Sequence, residues 1–261
     1  MNRSKWLGLL FSWILLCAQA ASGAPQKVVF GVLGFDFPPF QTLVNGTPNG
    51  PDFDIVREAF SRMPGYELDI QVMPLKRVQH DIQTGGIDIT TLYKSPARLD
   101  QLLFPDQPIR WSIYKLAVPA GKRFEFNGIE DLHGRSLGKL ESNVISQDFD
   151  TAAEHKDFEL YELKSFRVML NMLNLERLEG IVGHAQIIDY VALTMDLQGR
   201  IEFLDKPVRP AKEFHIVISP RAQISDPEAL RQSLSVSLKS MLDDGTFDAI
   251  YDSYGLVFER N

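Results

Sequence analysis

The sequence predicts an α/β protein built from two lobes, each with alternating strands and helices. Strand and helix patterns alternate over residues 27–92, and the alternation starts again at residue 136. Two extended stretches punctuated by prolines, at residues 104–119 and 203–219, separate these blocks. The length of 261 residues is sufficient for two lobes of about 100 residues each.

The first block has the order βαβαβ. Its opening run, KVVFGVLG at residues 27–34, is apolar and rich in β-branched residues, which is typical of a strand buried on both faces of a parallel sheet. Apolar residues then recur at helical spacing over residues 53–63, with Asp52 placed to cap the helix. The remaining elements are a strand at 67–73, a helix at 75–82 closed by Gly85 and Gly86, and a strand at 87–92.

The second block repeats the alternation, and the chain ends in helices. Ser165 is placed to cap a helix whose apolar face begins at Phe166. Asp226 and Pro227 mark the start of a long helix, which Gly245 ends. The other predicted elements are strands at 136–140, 158–163 and 180–182 and helices at 145–153 and 247–254.

The first 23 residues predict a secretory signal peptide. A positively charged start precedes an apolar run over residues 6–17, and an A-x-A cleavage site follows at residues 18–20. The mature chain is expected to begin between residues 21 and 24. The apolar run is too short to span a bilayer, which takes about 20 residues. Leu16 stands before Cys17 where a lipoprotein has a small residue, so we expect no lipid anchor.

Composition excludes several classes of function. Cys17 is the only cysteine, so the mature chain is expected to lack disulfides, thiolate metal sites and cysteine nucleophiles. Without Arg3 and Lys5, 25 of the 27 basic residues remain against 34 acidic ones, a net charge of −9 that argues against nucleic-acid or anionic-membrane binding. Common metalloprotease, phosphate-loop, hydrolase and dinucleotide motifs are absent from the sequence, so we expect no metal, no cofactor and no catalysis.

Seven short segments follow one another in a fixed order. They are FDFPPF at 35–40, GPDFDIV at 50–56, GGIDIT at 85–90, SPAR at 95–98, FPDQPI at 104–109, EDLHGRSLG at 130–138 and DGTFDAIYDSYG at 244–255. Together they resemble the family 3 extracellular solute-binding proteins, the polar amino acid binders of ABC transporters. The resemblance implies a class II periplasmic-binding-protein fold, in which two α/β lobes are joined by a two-stranded hinge with a ligand cleft between them.

The resemblance also implies how the chain divides. Lobe 1 is expected to contain residues 24–109 and 212–261, and lobe 2 residues 110–211. The hinge crossings are expected near residues 108–113 and 205–212, within the two proline-punctuated stretches. If both crossings join the same two lobes, hinge bending can enclose a ligand in the cleft.

The implied function is that of a monomeric periplasmic receptor for a small carboxylate-bearing ligand, an amino acid or a related organic acid. Its partner would be the membrane subunit of an ABC transporter or a membrane sensor. The alternative is a periplasmic lyase of the cyclohexadienyl dehydratase type. As we align the chain, the catalytic glutamate of those relatives corresponds to Ile187, which has no proton to give.

Three candidates for ligand contact lie in the first half of the chain. By resemblance, Arg98 stands at the position of the arginine that binds the ligand carboxylate, a group that matches the paired donors of a guanidinium. Otherwise Arg98 would be a surface residue paired with Asp100 or Asp106. Phe37 corresponds to the aromatic residue that packs against the ligand, and is otherwise a core residue. Tyr93 follows the third strand, where ligand contact and simple packing are equal alternatives.

Three polar candidates lie in the second block. Ser142 and Asn143 fall between a strand and a helix, where backbone N–H groups can hold an anionic group or the pair can serve as a plain cap. His184 stands where amino acid-binding relatives carry an aspartate for the ligand ammonium. It offers a neutral ring or a cation instead, unless its role is structural. This departure argues against a standard amino acid as the ligand.

Arg77 and Trp111 complete the candidates. Arg77 opens the second helix, and if it points into the cleft, two arginines and a histidine favour a dicarboxylate or another anionic ligand. The equal alternative is a solvated helix charge. Trp111 lies near the first crossing, where it either stacks on the ligand or packs between the lobes.

Overall fold

In the described part of the chain, two five-stranded sheets with helices on their faces form two lobes, and a short two-stranded sheet accompanies them. The computed structural model describes residues 24–34, 37–141 and 143–260. The predicted signal peptide at residues 1–23 lies outside the described residues. Within these ranges, no helix has the length and apolar character needed to cross a lipid bilayer.

The elements follow the predicted alternation. The N-terminal part contains β1 (Gln26–Leu33), β2 (Thr42–Val44), β3 (Thr47–Asn49), α1 (Pro51–Ser61), β4 (Tyr66–Met73), α2 (Leu75–Thr84), β5 (Ile89–Tyr93), α3 (Pro96–Leu99) and β6 (Arg110–Ser112). The middle part contains β7 (Tyr114–Pro119), β8 (Ser136–Leu140), α4 (Gln147–Glu154), β9 (Glu159–Leu163), α5 (Phe166–Asn174), β10 (Gly180–His184), α6 (Ala185–Leu193) and β11 (Ile201–Phe203). The C-terminal part contains β12 (Lys212–Ile218), α7 (Pro227–Asp243) and α8 (Thr246–Ser253). The predicted α/β class is confirmed.

The first lobe is built on the sheet β4-β1-β5-β12-β6. β1 is parallel to both β4 and β5, as its buried apolar sequence predicts. β12, which comes from the C-terminal part, is inserted antiparallel between β5 and β6. Helices α1, α7 and α8 pack on one face around Phe53, Leu234 and Tyr251, and α2 packs on the other around Val78.

The second lobe is built on the sheet β11-β7-β10-β8-β9. β8 is parallel to β9 and β10, whereas β7 is antiparallel to β10. Phe149 of α4 belongs to the core on one face, and Leu170 of α5 and Ile188 of α6 belong to the core on the other. Successive residues of β7, Leu116 and Ala117, alternate between these two cores because strand side chains alternate in direction.

The chain passes between the two sheets at two neighbouring positions. The first passage leads from β6 through Ile113 into β7. The second leads from β11 to β12, and on it the Val208 N–H donates to the Tyr114 carbonyl at 2.8 Å. Lys212 pairs with Ser112 across β12 and β6. The two passages therefore run side by side, and a rotation of one lobe on the other requires backbone changes in only two short segments.

Two predicted helix caps are confirmed, and one is wrong. Ser165 Oγ accepts a hydrogen bond from the Val168 N–H, and Asp226 Oδ1 accepts from two backbone N–H groups at the start of α7. Asp52 does not cap α1. Pro51 is already the first residue of that helix, and Gly50, with a φ of 124°, precedes it. The Asp52 side chain turns into the core instead and pairs with Arg110.

Replacing Asp226 with alanine is expected to lower the free energy of unfolding by about 1 kcal/mol, because the first backbone N–H groups of α7 lose their acceptor. In a chain of this size the melting temperature would fall by about 2–4 °C. Asp226→Asn is the control, since its amide oxygen still accepts these hydrogen bonds. Equal losses in the two variants, measured by urea unfolding, would contradict the capping role.

Candidate functional site

Two adjoining cavities lie where the lobes meet. The larger, the inter-lobe cavity of about 470 Å³, is lined from the first lobe by Ser95, Pro96 and Arg98 and from the second by Tyr114, Asn143 and Val144. The smaller, the first-lobe cavity of about 260 Å³, shares Tyr93 and Arg98 with it. A groove of about 670 Å³ also lies between α1 and α7, but its one cation, Arg62, is already paired with Glu58 and Asp244.

Arg98 lies just beyond the C-terminal end of β5, in the short helix α3. Its Nη1 donates to the Tyr93 carbonyl oxygen at 2.7 Å, which fixes the side chain at the junction of the two cavities. Arg98 forms no ion pair with any carboxylate of the described chain, and Asp106 pairs with Arg231 instead. The surface pairing with Asp100 or Asp106 is therefore not observed, and guanidinium N–H groups remain available at the cavities.

Aromatic rings surround the first-lobe cavity. Phe37, half-buried, and Tyr93 line it together with Phe214. The Phe37 ring stacks against Phe40 at 6.0 Å between centroids, and Phe40 itself is fully buried in the core. Phe37 and Tyr93 thus lie where a ligand in the cavity would contact them, and their predicted contacts with it stay predictions.

Arg110 is a lining residue that sequence reasoning missed. Its guanidinium carbon lies 3.8 Å from the Phe214 ring centroid and 4.1 Å from that of Phe40. Its Nε is 3.1 Å from Asp52 Oδ1, and its Nη1 donates to the Tyr93 hydroxyl at 3.2 Å. Arg110 therefore places a positive charge at the base of the first-lobe cavity. The Asp52 carboxylate already balances this charge.

The second lobe contributes amide and hydroxyl groups to the inter-lobe cavity. Asn143 Nδ2 donates to the Tyr114 hydroxyl at 3.1 Å, and both residues line the cavity. Ser142 lies outside the described residues. The helix predicted from residue 145 begins at Gln147 with Ser146 as its cap, so Asn143 belongs to the preceding loop rather than to a helix start.

His184 is buried between the lobes rather than exposed in either cavity. Its side chain is 2% exposed and lies 5.2 Å from the Phe40 ring and 6.1 Å from the Tyr114 ring. Burial, together with the charges of Arg110 and Arg209, lowers the pKa of His184 to about 3. The ring is therefore neutral at physiological pH, and neither of its nitrogens has a hydrogen-bond partner among the described residues.

Arg209 is a second lining residue that the sequence did not reveal. It lies on the passage from β11 to β12, is only 9% exposed, and lines the inter-lobe cavity. Its guanidinium carbon is 3.9 Å from the Tyr114 ring centroid. The one sequence signal is its position between Pro207 and Pro210, which fix the backbone on both sides.

Arg77 and Trp111 lie apart from the two cavities. Arg77 is exposed on α2, where its Nε is 3.2 Å from Asp81 Oδ2. This is the solvated helix charge that was the alternative interpretation. Trp111 packs against Phe258 at 5.7 Å between ring centroids and contributes to the first-lobe core. Neither placement supports the predicted ligand contact.

The site as a whole is suited to holding an anion. Arg98 and Arg209 offer planar sets of donors, Tyr114 and Asn143 offer neutral polar groups, and the aromatic rings exclude water from one side. No cluster of three His, Cys, Asp or Glu side chains able to hold a metal ion occurs in residues 24–34, 37–141 and 143–260.

Comparisons with known proteins bear on the fold and on the family of the chain. In its fold the chain is similar to the unliganded open L-cystine solute receptor of Neisseria gonorrhoeae (TM-score 0.73, 14% identity, 92% of this chain and 98% of that chain). It is also similar to the second substrate-binding domain of GlnP from Lactococcus lactis (TM-score 0.70, 16% identity, 92% and 98%). A third similar structure is ytmK of Bacillus subtilis, described as the probable amino-acid ABC transporter extracellular-binding protein (TM-score 0.68, 19% identity, 88% and 97%).

Identities this low show the fold alone, which is the periplasmic-binding-protein fold that the sequence predicts. No curated protein sequence matches the chain. Residues 30–257, however, match the family of bacterial extracellular solute-binding proteins, family 3. The match spans nearly all of the described chain, and the protein therefore belongs to the family 3 bacterial extracellular solute-binding proteins.

Proposed function

We propose that this protein captures a small carboxylate-bearing molecule, an amino acid or a related organic acid, in the cleft between its lobes. The observation that carries the proposal is the Arg98 guanidinium, which faces both cavities and has no carboxylate partner in the described part of the chain. A ligand carboxylate would accept the paired hydrogen bonds that Arg98 offers. Phe37 and Tyr93 would contribute apolar contact.

Closure of the two lobes would complete the binding site. Arg98 comes from the first lobe, and Asn143 and Tyr114 come from the second. A ligand that binds residues of both lobes at once therefore favours the closed state. Micromolar affinity requires about 8 kcal/mol, and a charge-assisted hydrogen bond contributes about 1.5–3 kcal/mol. Several contacts and the exclusion of water must therefore act together. The side-by-side passages at Ser112 and Lys212 are suited to act as the hinge.

The proposed setting is the periplasm. The predicted signal peptide at residues 1–23 would direct export, and the protein would act there as a monomer without catalysis. Its proposed partner is the membrane subunit of an ABC transporter, as the family and the similar Bacillus subtilis protein, a probable amino-acid ABC transporter extracellular-binding protein, suggest. On this proposal the receptor releases its ligand to the transporter when the lobes reopen.

Replacing Arg98 with alanine tests the proposal. A screen of amino acids and organic acids by melting temperature first identifies the compounds that stabilise the wild type. Arg98→Ala is then expected to weaken their binding by at least about tenfold, because the paired charge-assisted hydrogen bonds are lost. At ligand concentrations that stabilise the wild type, the variant should show little or no stabilisation.

Arg77→Ala is the matched control. Arg77 is also an arginine at the start of a helix in the first lobe, but it is paired with Asp81 and does not line the cavities. This variant should retain the stabilisation seen in the wild type. If Arg98→Ala retains it too, the assignment of Arg98 as the carboxylate-binding residue is wrong.

A further inference from the structure

Arg209 carries a buried charge that no described carboxylate balances. Its Nε and Nη1 atoms are buried without a hydrogen-bond partner in the described part of the chain. The neighbouring ring of Tyr114 stabilises the cation only in part. Burying a guanidinium without a counter-charge is strongly unfavourable, so buried arginines are normally paired. An anion bound in the inter-lobe cavity would supply the missing partner.

All charged side chains among the described lining residues of the inter-lobe cavity are positive. Lys94, Arg98, Arg209 and Lys212 line it, and none of its described lining residues is acidic. Lys94 is balanced by Glu213, whose Oε2 lies 2.7 Å from its Nζ. Burial and the nearby charge of Arg209 lower the pKa of Lys212, which places these two cations close together. Arg98, Arg209 and Lys212 therefore remain without a carboxylate partner in the described part of the chain, and the first two of them are guanidinium groups.

Among the residues that the structure describes, the cleft offers no counter-charge to a ligand ammonium group. Among the described residues, no acid lines either cavity. Asp52, behind the first-lobe cavity, is already bound by Arg110 and by Gln41 at 2.9 Å. His184 is neutral, and the charges of Arg110 and Arg209 that act on it would repel an ammonium group placed beside it.

We propose that the ligand is a small organic acid with two acidic groups and no ammonium group, held by Arg98 at one acid and by Arg209 at the other. This inference rests on the proposed function, because it assigns the ligand class of the same cleft. Arg98 belongs to the first lobe and Arg209 to the passage beside the second, so one dianion would bridge them. The cavity of about 470 Å³ lies within the usual range for small-molecule sites, about 300–1,000 Å³.

Stabilisation by butyrate, succinate and aspartate tests the ligand class. All three have four carbon atoms. Butyrate carries one acidic group, succinate carries two, and aspartate carries two together with an ammonium group. Malonate and glutarate extend the series to shorter and longer separations of the acids, and sulfate and phosphate test for simple anion binding. The best dicarboxylate is expected to raise the melting temperature by about 5–10 °C at a hundred times its dissociation constant. Butyrate and aspartate should bind at least about tenfold more weakly.

The variant Arg209→Met tests the role of Arg209 in binding the second acidic group. It should weaken dicarboxylate binding by about tenfold to a hundredfold and remove the preference over butyrate. The melting temperature without ligand should stay the same or rise, because the variant loses an unpaired buried charge. Arg135→Met is the matched control, since Arg135 also lies on an aromatic ring, 3.5 Å from the Phe124 centroid, but does not line either cavity.

The outcomes separate this inference from the proposed function. If butyrate, aspartate or a neutral amino acid stabilises the wild type as well as the best dicarboxylate does, the two-acid ligand without an ammonium group is refuted and the carboxylate receptor stands. Equal stabilisation by sulfate or phosphate would show simple anion binding and would also refute the two-acid ligand. Unchanged dicarboxylate binding in Arg209→Met refutes the role of Arg209 in the same way. If no carboxylate and no amino acid stabilises the wild type, the proposed function itself is refuted.

Discussion

Replacing Asp52 with alanine is expected to lower the free energy of unfolding by about 3–5 kcal/mol. Asp52 and Arg110 are 1% and 2% exposed, and they are the buried ion pair of the first-lobe core. Burial acts to lower the pKa of Arg110, but the Asp52 carboxylate together with Tyr93 and Tyr251 outweighs it and raises that pKa, so the guanidinium stays charged. Without Asp52 this charge remains buried and unpaired. The melting temperature should fall by about 10 °C.

Asp106→Ala is the control for this prediction. Asp106 pairs with Arg231 at 3.1 Å, but its side chain is 71% exposed, so its loss should change stability by about 0–1 kcal/mol. The double variant Asp52→Leu, Arg110→Met should recover part of the loss, because no charge remains buried. Equal shifts of the denaturation midpoint in Asp52→Ala and Asp106→Ala would rule out a buried, mutually dependent pair.

Acidification from pH 7 to pH 4 is expected to remove about 3 kcal/mol of stability through His184 alone. Burial and the charges of Arg110 and Arg209 lower its pKa to about 3 in the folded chain, against 6.5 for an ordinary histidine. Below pH 6.5 the unfolded chain therefore binds a proton that the folded chain does not. Stability falls as the pH falls, until the folded chain also binds the proton near pH 3.

Urea unfolding of the wild type and of His184→Phe between pH 7 and pH 4 measures how much His184 contributes to this loss of stability. The phenyl ring retains the contacts with Phe40 and Tyr114 but binds no proton. The wild type should lose about 3 kcal/mol more than the variant. The control variant His133→Phe, at an exposed position, should lose as much stability as the wild type does. Parallel curves for the wild type and His184→Phe would show that His184 does not titrate differently in the two states.

Most of the fold could be predicted from the sequence because its signals are local. The β-branched run of β1 and the caps at Ser165 and Asp226 depend on residues within one element. The error at Asp52 shows the limit of such signals. In a sequence, an aspartate next to a helix start predicts a cap. The Asp52 side chain instead interacts with Arg110, 58 residues away.

The candidate site could be predicted only in part for the same reason. Arg98, Phe37 and Tyr93 line the cavities, and the sequence pointed to them because each follows a strand or stands in a segment that resembles the family. Arg110 and Arg209 lie in the proline-punctuated stretches, which resemble exposed connections in the sequence. Their burial results from the way the two passages meet the lobes, and apart from the two prolines that flank Arg209 no pattern within those stretches indicates it.

The insertion of β12 between β5 and β6 makes the first lobe depend on the completed polypeptide. A nascent chain that ends before residue 212 has β4, β1 and β5 but leaves the edge of β5 open. It also lacks α7 and α8, whose Leu234 and Tyr251 fill the core. The order of synthesis therefore delays the native assembly of the first lobe until the C-terminal part of the chain has been made.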